Sequence, residues 1–242
     1  MCIRDSSLAV LKFNPEFAES TYRYIAEKSE KSVINSPKDD KKLLKACETL
    51  TKFSFGFTME EADRTVMLDY KKGKILYKKA HDKFVRAVDY GERALTVKFE
   101  NYNDWIEGRT SKTPKFTSLD LSNLFWTAGA YGGAIKSSQG DPEWIVKLPR
   151  LGKLLEAGLF LDSEWNKGAF YSAMISYTMI RHDSPTNKED VAREYFNKAI
   201  KVSNDLDIGP YVTLAESVSI TCLLYTSPSP RDLSTSRMPS SA

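Results

Sequence analysis

Helix-start signals recur along this chain so often that little room is left for any other secondary structure. Asn14-Pro15-Glu16, Ser36-Pro37 and Asp141-Pro142-Glu143 each set a capping side chain ahead of a proline. Proline at the first helical position loses nothing, because that N–H would find no partner inside the helix. Thr58-x-x-Glu61 and Thr186-x-x-Glu189 have the spacing of capping boxes, in which side chain and backbone satisfy each other's orphan donors. Behind these signals apolar residues recur at helical spacing: Tyr77, Ala80, Phe84, Ala87 and Gly91, then Trp144, Leu148, Leu151 and Leu155, then Ala192, Phe196, Ala199 and Ile200. No stretch sustains the alternation of a strand.

The pattern predicts an all-α chain with helices near 15–31, 37–57, 59–70, 73–99, 119–137, 142–161, 164–181 and 187–203, and another starting at Pro210. Pro149 predicts a kink or short break near Leu148. Glu100 to Thr117 is the one long connection, with Trp105 and Ile106 expected to pin it. A repeat runs through the helices. Ala80-x3-Phe84-x2-Ala87 and Ala192-x3-Phe196-x2-Ala199 match the second helix of a tetratricopeptide unit, where small residues let helices approach and the aromatic fills the gap between hairpins. Leu151-x3-Leu155-x2-Gly158 fits loosely. The intervals exceed the usual ~34 residues, so the expected architecture is a degenerate tetratricopeptide-like array of helical hairpins.

The two ends read as foreign. MCIRDS (Met1 to Ser6) and CLLYTSPSPRD (Cys222 to Asp232) back-translate to opposite strands of one transposon adapter used in sequencing libraries, and SRMPSSA (Ser236 to Ala242) to its distal end. Residues 1–6 and 222–242 are therefore expected to be adapter-coded, and 7–221 to be a native helical-repeat domain truncated at both ends. Cys47 is then the one native thiol, too few for an internal disulfide or a cysteine-rich metal site. Of 35 Lys and Arg and 32 Asp and Glu, removing Arg4, Arg231, Arg237, Asp5 and Asp232 leaves 32 against 30. So balanced a chain gives no electrostatic reason to expect nucleic acid or an anionic membrane as partner. No uncharged run reaches the ~18–20 residues of a membrane span.

Catalytic signatures are missing. His81 and His182 lack a partner at the spacing of a helical metal site, so no metal is expected. There is no nucleophile elbow, phosphate loop or dinucleotide fingerprint, and neither an enzyme activity nor a cofactor is expected. Gly129, Gly132 and Gly133 sit in an apolar helical run and are expected to permit close packing rather than to cradle phosphate. Glu189, Asp190, Arg193 and Glu194 read as a charged face that suits the helix dipole. Lys71, Lys72, Lys74, Lys78, Lys79 and Lys83 read as a solvated face.

The aromatics carry more information. Trp126, Tyr131, Trp144, Trp165, Phe170, Tyr171 and Tyr177 crowd three successive helices, which include the nearly charge-free runs 121–135 and 168–180. A helix that is apolar all round must be enclosed on every side. Two such helices predict either a solid core or a lined cavity for an apolar ligand. Trp126, Tyr131, Phe170, Tyr171 and Tyr177 are the candidate lining residues.

The chain resembles the T component (TatT family) of tripartite ATP-independent periplasmic (TRAP) transport systems. The likeness lies in YKKAHDKFVRAVDYGERAL (77–95), DLSNLFWTAGAYGGAI (120–135), Leu148-Pro149, LDSEWNKGAF (161–170) and AREYFNKAIKVS (192–203). The resemblance implies a periplasmic, lipid-anchored, non-catalytic helical protein that forms homotrimers, associates with the solute-binding protein of the transporter, and passes a small organic or hydrophobic ligand through an apolar pore. The family's lipoprotein cysteine has no counterpart here, and Cys2 is not one. A generic tetratricopeptide scaffold for protein–protein interaction is the alternative, and an enzyme whose site was lost by truncation is a further rival.

Overall fold

In the computed structural model, residues 14–184 and 186–219 are described, and among them no strand occurs. Residues 1–6 and 222–242, expected to be adapter-coded, lie outside the described residues. The chain divides after Ser163 into two compact units.

The first unit holds α1 (Pro15–Ile34), α2 (Asp40–Phe53), a wide π turn (Ser54–Met59), α3 (Glu60–Val66), α4 (Tyr70–Lys98), α5 (Tyr102–Ile106), a 3-10 turn (Ser118–Asp120), α6 (Leu121–Ser137), α7 (Pro142–Ile145) and α8 (Leu148–Leu161). The long helix α4 is its spine: α2, α3 and α6 pack on it, α1 covers α2, and α8 covers α6. The apolar stripe of α4 explains this. Ala80, Phe84, Ala87, Ala94 and Leu95 are all fully buried, and each large apolar side chain so enclosed contributes about 1.5–3 kcal/mol.

Small residues set how closely α4 and α6 approach. A side chain at Gly133 would overlap the Phe84 ring, and one at Gly91 would overlap the Thr127 hydroxyl. A side chain at Gly129 or Gly132 would meet Thr51 or Leu151 only at ordinary contact distance. Of the three glycines of α6, Gly133 is the one that close packing requires.

The local signals held where competition was weak. Asn14 caps α1, its Oδ1 accepting from Phe17 N at 3.0 Å. Asp141 caps α7 by accepting from Glu143 N at 2.9 Å. The break near Leu148 is present: α7 ends at Ile145, and α8 restarts with Pro149 in its first turn.

Three expected starts are displaced. Ser36-Pro37 does not open α2; Asp39 does, accepting from Lys42 N at 3.1 Å, and Ser36 takes the Lys42 ammonium instead. The Thr58–Glu61 box does not form, because the chain stays helical through the π turn and Thr58 lies inside it, buried. The Thr186 box gives way to a start at Lys188, after Asn187. A capping box does form at Thr117 and Asp120, ahead of α6. Burial opposes ionisation of Asp120, but the Lys98 ammonium and the Thr117 N–H and hydroxyl outweigh it and hold the carboxyl below its ordinary value.

The connection 100–117 is pinned as expected. Trp105 and Ile106 are buried on α5, Phe116 packs edge-on against Trp105 at 5.3 Å, and Lys153 of α8 donates to the Trp105 carbonyl at 2.6 Å.

The second unit holds α9 (Trp165–Ile180), α10 (Lys188–Val202), α11 (Gly209–Leu214) and a π turn (Ala215–Ser219). Ile175, Ala192 and Val218 form its centre, with Met179, Tyr195, Phe196 and Leu214 packed around them. α9 opens on a left-handed turn through Asn166, Lys167 and Gly168, the last at φ +77°.

The Phe84–Gly133 contact yields a paired prediction. Gly133→Ala should destabilise the protein by about 1–3 kcal/mol through overpacking. Gly56→Ala, in the π turn with open space around it, should leave stability within about 0.5 kcal/mol. Urea unfolding of both variants checks this; equal effects would refute the packing argument.

Candidate functional site

Helix α6, whose one charged residue is Lys136, places the first candidates. Trp126 is half-buried, with the Lys52 ammonium 4.6 Å over its ring and Phe125 edge-on at 5.2 Å. Tyr131, one turn and a half further on, is buried, with Trp144 at 6.4 Å. On α9, Phe170 is fully buried beside Trp165 at 5.4 Å. Tyr171 is half-buried and meets Tyr195 at 6.2 Å, while Tyr177 is buried under the Arg181 guanidinium at 5.1 Å. Trp126 and Tyr131 thus share α6, and Phe170, Tyr171 and Tyr177 share α9. Within each helix, one of these aromatics keeps accessible surface and the rest are enclosed.

The first unit also gathers a polar cluster that the sequence did not single out. α4 supplies Glu92, α6 Tyr131, α8 Arg150, and the residue that follows α5 is Glu107. The Tyr131 hydroxyl donates to Glu92 Oε1 and accepts from Arg150 at 3.4 Å. Arg150 lies 3.5 Å from Glu92 and 3.8 Å from Glu107. Burial, then the Glu92 charge, pushes the Tyr131 phenol far above its ordinary value. Burial works against the Arg150 charge, yet Tyr131 and Glu92 outweigh it and keep the guanidinium protonated. One signal pointed here: Arg150 is a cation in the first turn of the apolar helix LPRLGKLLEAGLFL.

The histidines take structural or exposed places. His81 Nδ1 lies 3.0 Å from the Ala134 carbonyl and 3.2 Å from Ser137 Oγ, with its ring edge-on to Trp144 at 5.1 Å. His182 is exposed. Among the described residues, no group of three or more His, Cys, Asp or Glu could hold a metal ion. Lys71, Lys72, Lys74, Lys78 and Lys79 are exposed, while Lys83 is half-buried, 5.7 Å over the Phe53 ring.

A comparison with known families decides what this helical scaffold is. Residues 28–223 match the family described as TRAP transporter T-component. The chain belongs to that family. No curated protein matches it. As a T-component it is an accessory part of a TRAP transporter, and among its described residues no helix is long and apolar enough to cross a membrane.

Cys47 of this T-component is fully buried, and burial pushes its thiol from 9.0 up to about 12, with the Thr51 and Thr127 hydroxyls pulling it back only in part. A thiol that ionises less readily folded than unfolded adds a stability that is intact below pH 9 and lost as pH rises from 9 toward 12. In a Cys2→Ser, Cys222→Ser background, Cys47 should resist Ellman's reagent at pH 8 until urea unfolds the chain. Replacing Cys47 by alanine should flatten the alkaline fall in stability. Rapid reaction of the folded protein would contradict this placement.

Proposed function

We propose that this T-component acts in the periplasm, lipid-anchored and as a homotrimer, by docking the solute-binding protein of its TRAP transporter and passing a small organic or hydrophobic ligand through an apolar passage. The match of residues 28–223 to the T-component family carries the reading. Its helical hairpins are taken as degenerate tetratricopeptide-like units, and residues 7–221 as the native domain.

Each unit contributes one nearly charge-free helix, α6 in the first and α9 in the second, and each by itself is a candidate wall for an apolar passage. Apart from Lys136 on α6 and Lys167 on α9, neither helix carries a charged side chain. Trp126 and Tyr171, which keep accessible surface, are the foremost lining residues; Tyr131, Phe170 and Tyr177 stand behind them as enclosed candidates. For docking, connection 100–117 is the favoured element. Arg109, Lys112 and Lys115 are exposed there, above the buried Trp105 and Phe116 that hold it rigid.

Two measurements test the proposal. The full-length protein should co-purify with the solute-binding protein of its own transporter, and Lys112→Glu with Lys115→Glu should weaken that binding at least tenfold without changing the melting temperature. Unchanged affinity would remove the loop from the interface. For the passage, Trp126→Ala and Tyr171→Ala should cost clearly less than the ~3–5 kcal/mol of a packed aromatic and should reduce uptake of a fluorescent apolar probe. Phe170→Ala should fall in the full range. Heavy destabilisation at Trp126 and Tyr171, with probe uptake unchanged in the folded variants, would mean a solid core.

A further inference from the structure

The chain is balanced in charge as a whole, but not at the corner between α3 and α4. Residues 67–79 carry five lysines and one carboxylate, Asp69. That carboxylate is committed, its Oδ1 accepting from Lys72 N at 3.0 Å as the cap of α4. Of the carboxylates nearby, Asp63 takes the Lys136 ammonium at 2.9 Å, and Glu60 lies 3.6 Å from Arg64. Glu61 and Asp82 complete the neighbourhood, two exposed carboxylates against five exposed lysines. Among the described residues, none of Lys71, Lys72, Lys74, Lys78 and Lys79 forms an ion pair.

The same corner presents apolar side chains to water. Met67 is 83 % exposed, Leu68 92 % and Ile75 59 %. The backbone holds them out. A side chain at Gly73 would overlap the Val66 backbone, so α3 and α4 are already in contact beneath the corner. The Leu68 and Asp69 N–H groups both donate to the Thr65 carbonyl, at 3.0 and 2.8 Å, which fixes the turn. On α4, Gly73, Leu76 and Tyr77 occupy the buried face. Ile75 lies opposite them, with Lys71, Lys72, Lys78 and Lys79 three and four residues to either side of it along the helix.

An apolar corner ringed by ammonium groups narrows what can cover it. Nucleic acid is gripped by arginine forks and stacked aromatics. Here every cation of residues 67–79 is lysine, and the exposed aromatic, Tyr70, already has the Lys74 ammonium 5.4 Å from its ring centre. An anionic bilayer answers both halves of the patch at once. Its acyl boundary takes the apolar side chains, its headgroups take the ammonium groups, and the long lysine stems span the two.

We propose that the α3–α4 corner is a contact site for the surface of an anionic lipid bilayer. Met67, Leu68 and Ile75 enter the boundary between headgroups and acyl chains, and the five lysines pair with lipid phosphates around them. Each lysine close to such a surface strengthens binding about fivefold. The contact does not rest on the lipid anchor proposed above, and it uses none of the lining or docking residues.

The test uses the whole chain, produced without acylation so that no anchor contributes. It should sediment with phosphatidylcholine vesicles containing about one third phosphatidylglycerol and not with pure phosphatidylcholine. Raising salt from about 0.1 M to about 1 M should weaken that binding at least tenfold. Lys71→Gln with Lys72→Gln and Lys74→Gln should weaken it at least tenfold, and so should Met67→Ser with Leu68→Ser, each variant keeping the wild-type circular dichroism. Phe160→Ser, which removes an apolar side chain 92 % exposed on α8, should leave binding unchanged. No binding to the anionic vesicles would overturn the proposal. So would undiminished binding in the Met67 and Leu68 variant, which would mean adsorption by charge alone, or an equal loss in Phe160→Ser. Binding of a DNA duplex as tightly as the vesicles would make the corner a general polyanion site and would overturn it too.

Discussion

The seating of the Phe84 ring on Gly133 is the contact on which the rest of the first unit depends. Neither helix could come so near the other with a side chain at that glycine, and Gly91 under Thr127 repeats the device about two turns further along α4. Close approach has a price in chain entropy at each glycine of roughly 0.5–1 kcal/mol relative to alanine. What it gains is enclosure: Phe84, Ala80 and Ala87 lose all contact with water. It also aligns the polar cluster. Glu92 follows Gly91 directly, and Tyr131 precedes Gly133 by two residues, so the spacing that seats Phe84 also brings the Tyr131 hydroxyl onto the Glu92 carboxylate.

Much of this fold could be read from the sequence because helix initiation and amphipathic spacing are local. Asn14 and Asp141 each need only a backbone N–H two or three residues ahead, and no distant group competes for them. Where a rival lay within reach, the local reading slipped. Asp39 is a charged acceptor three residues before Lys42 N, and it displaced Ser36-Pro37 as the start of α2. The π turn was out of reach for a different reason. It is stabilised by what it packs on, with Phe55 edge-on to Phe84 at 4.6 Å, and no pattern within SFGFTM records that tertiary contact.

The aromatic-rich helices were legible as apolar, but the state of each ring was not. Periodicity cannot separate Trp126, half-buried beneath an ammonium group, from Tyr131, enclosed and bonded to a carboxylate. The polar cluster was harder still. Glu92, Tyr131 and Arg150 come from α4, α6 and α8, and Glu107 follows α5 in a connection with no periodic pattern. Only folding places the Tyr131 hydroxyl beside Glu92. The family match adds what neither pattern nor packing supplies, namely the transporter to which such a scaffold belongs.

A double-mutant cycle on Phe84 and Gly133 measures the central contact directly. Gly133→Ala should destabilise the protein when Phe84 is present, and should lose most of that effect in the Phe84→Leu background, where the ring no longer occupies the space. The account predicts a coupling of about 1 kcal/mol or more between the two sites. Additivity to within about 0.3–0.5 kcal/mol would show that the helices do not meet through this ring, and would contradict it.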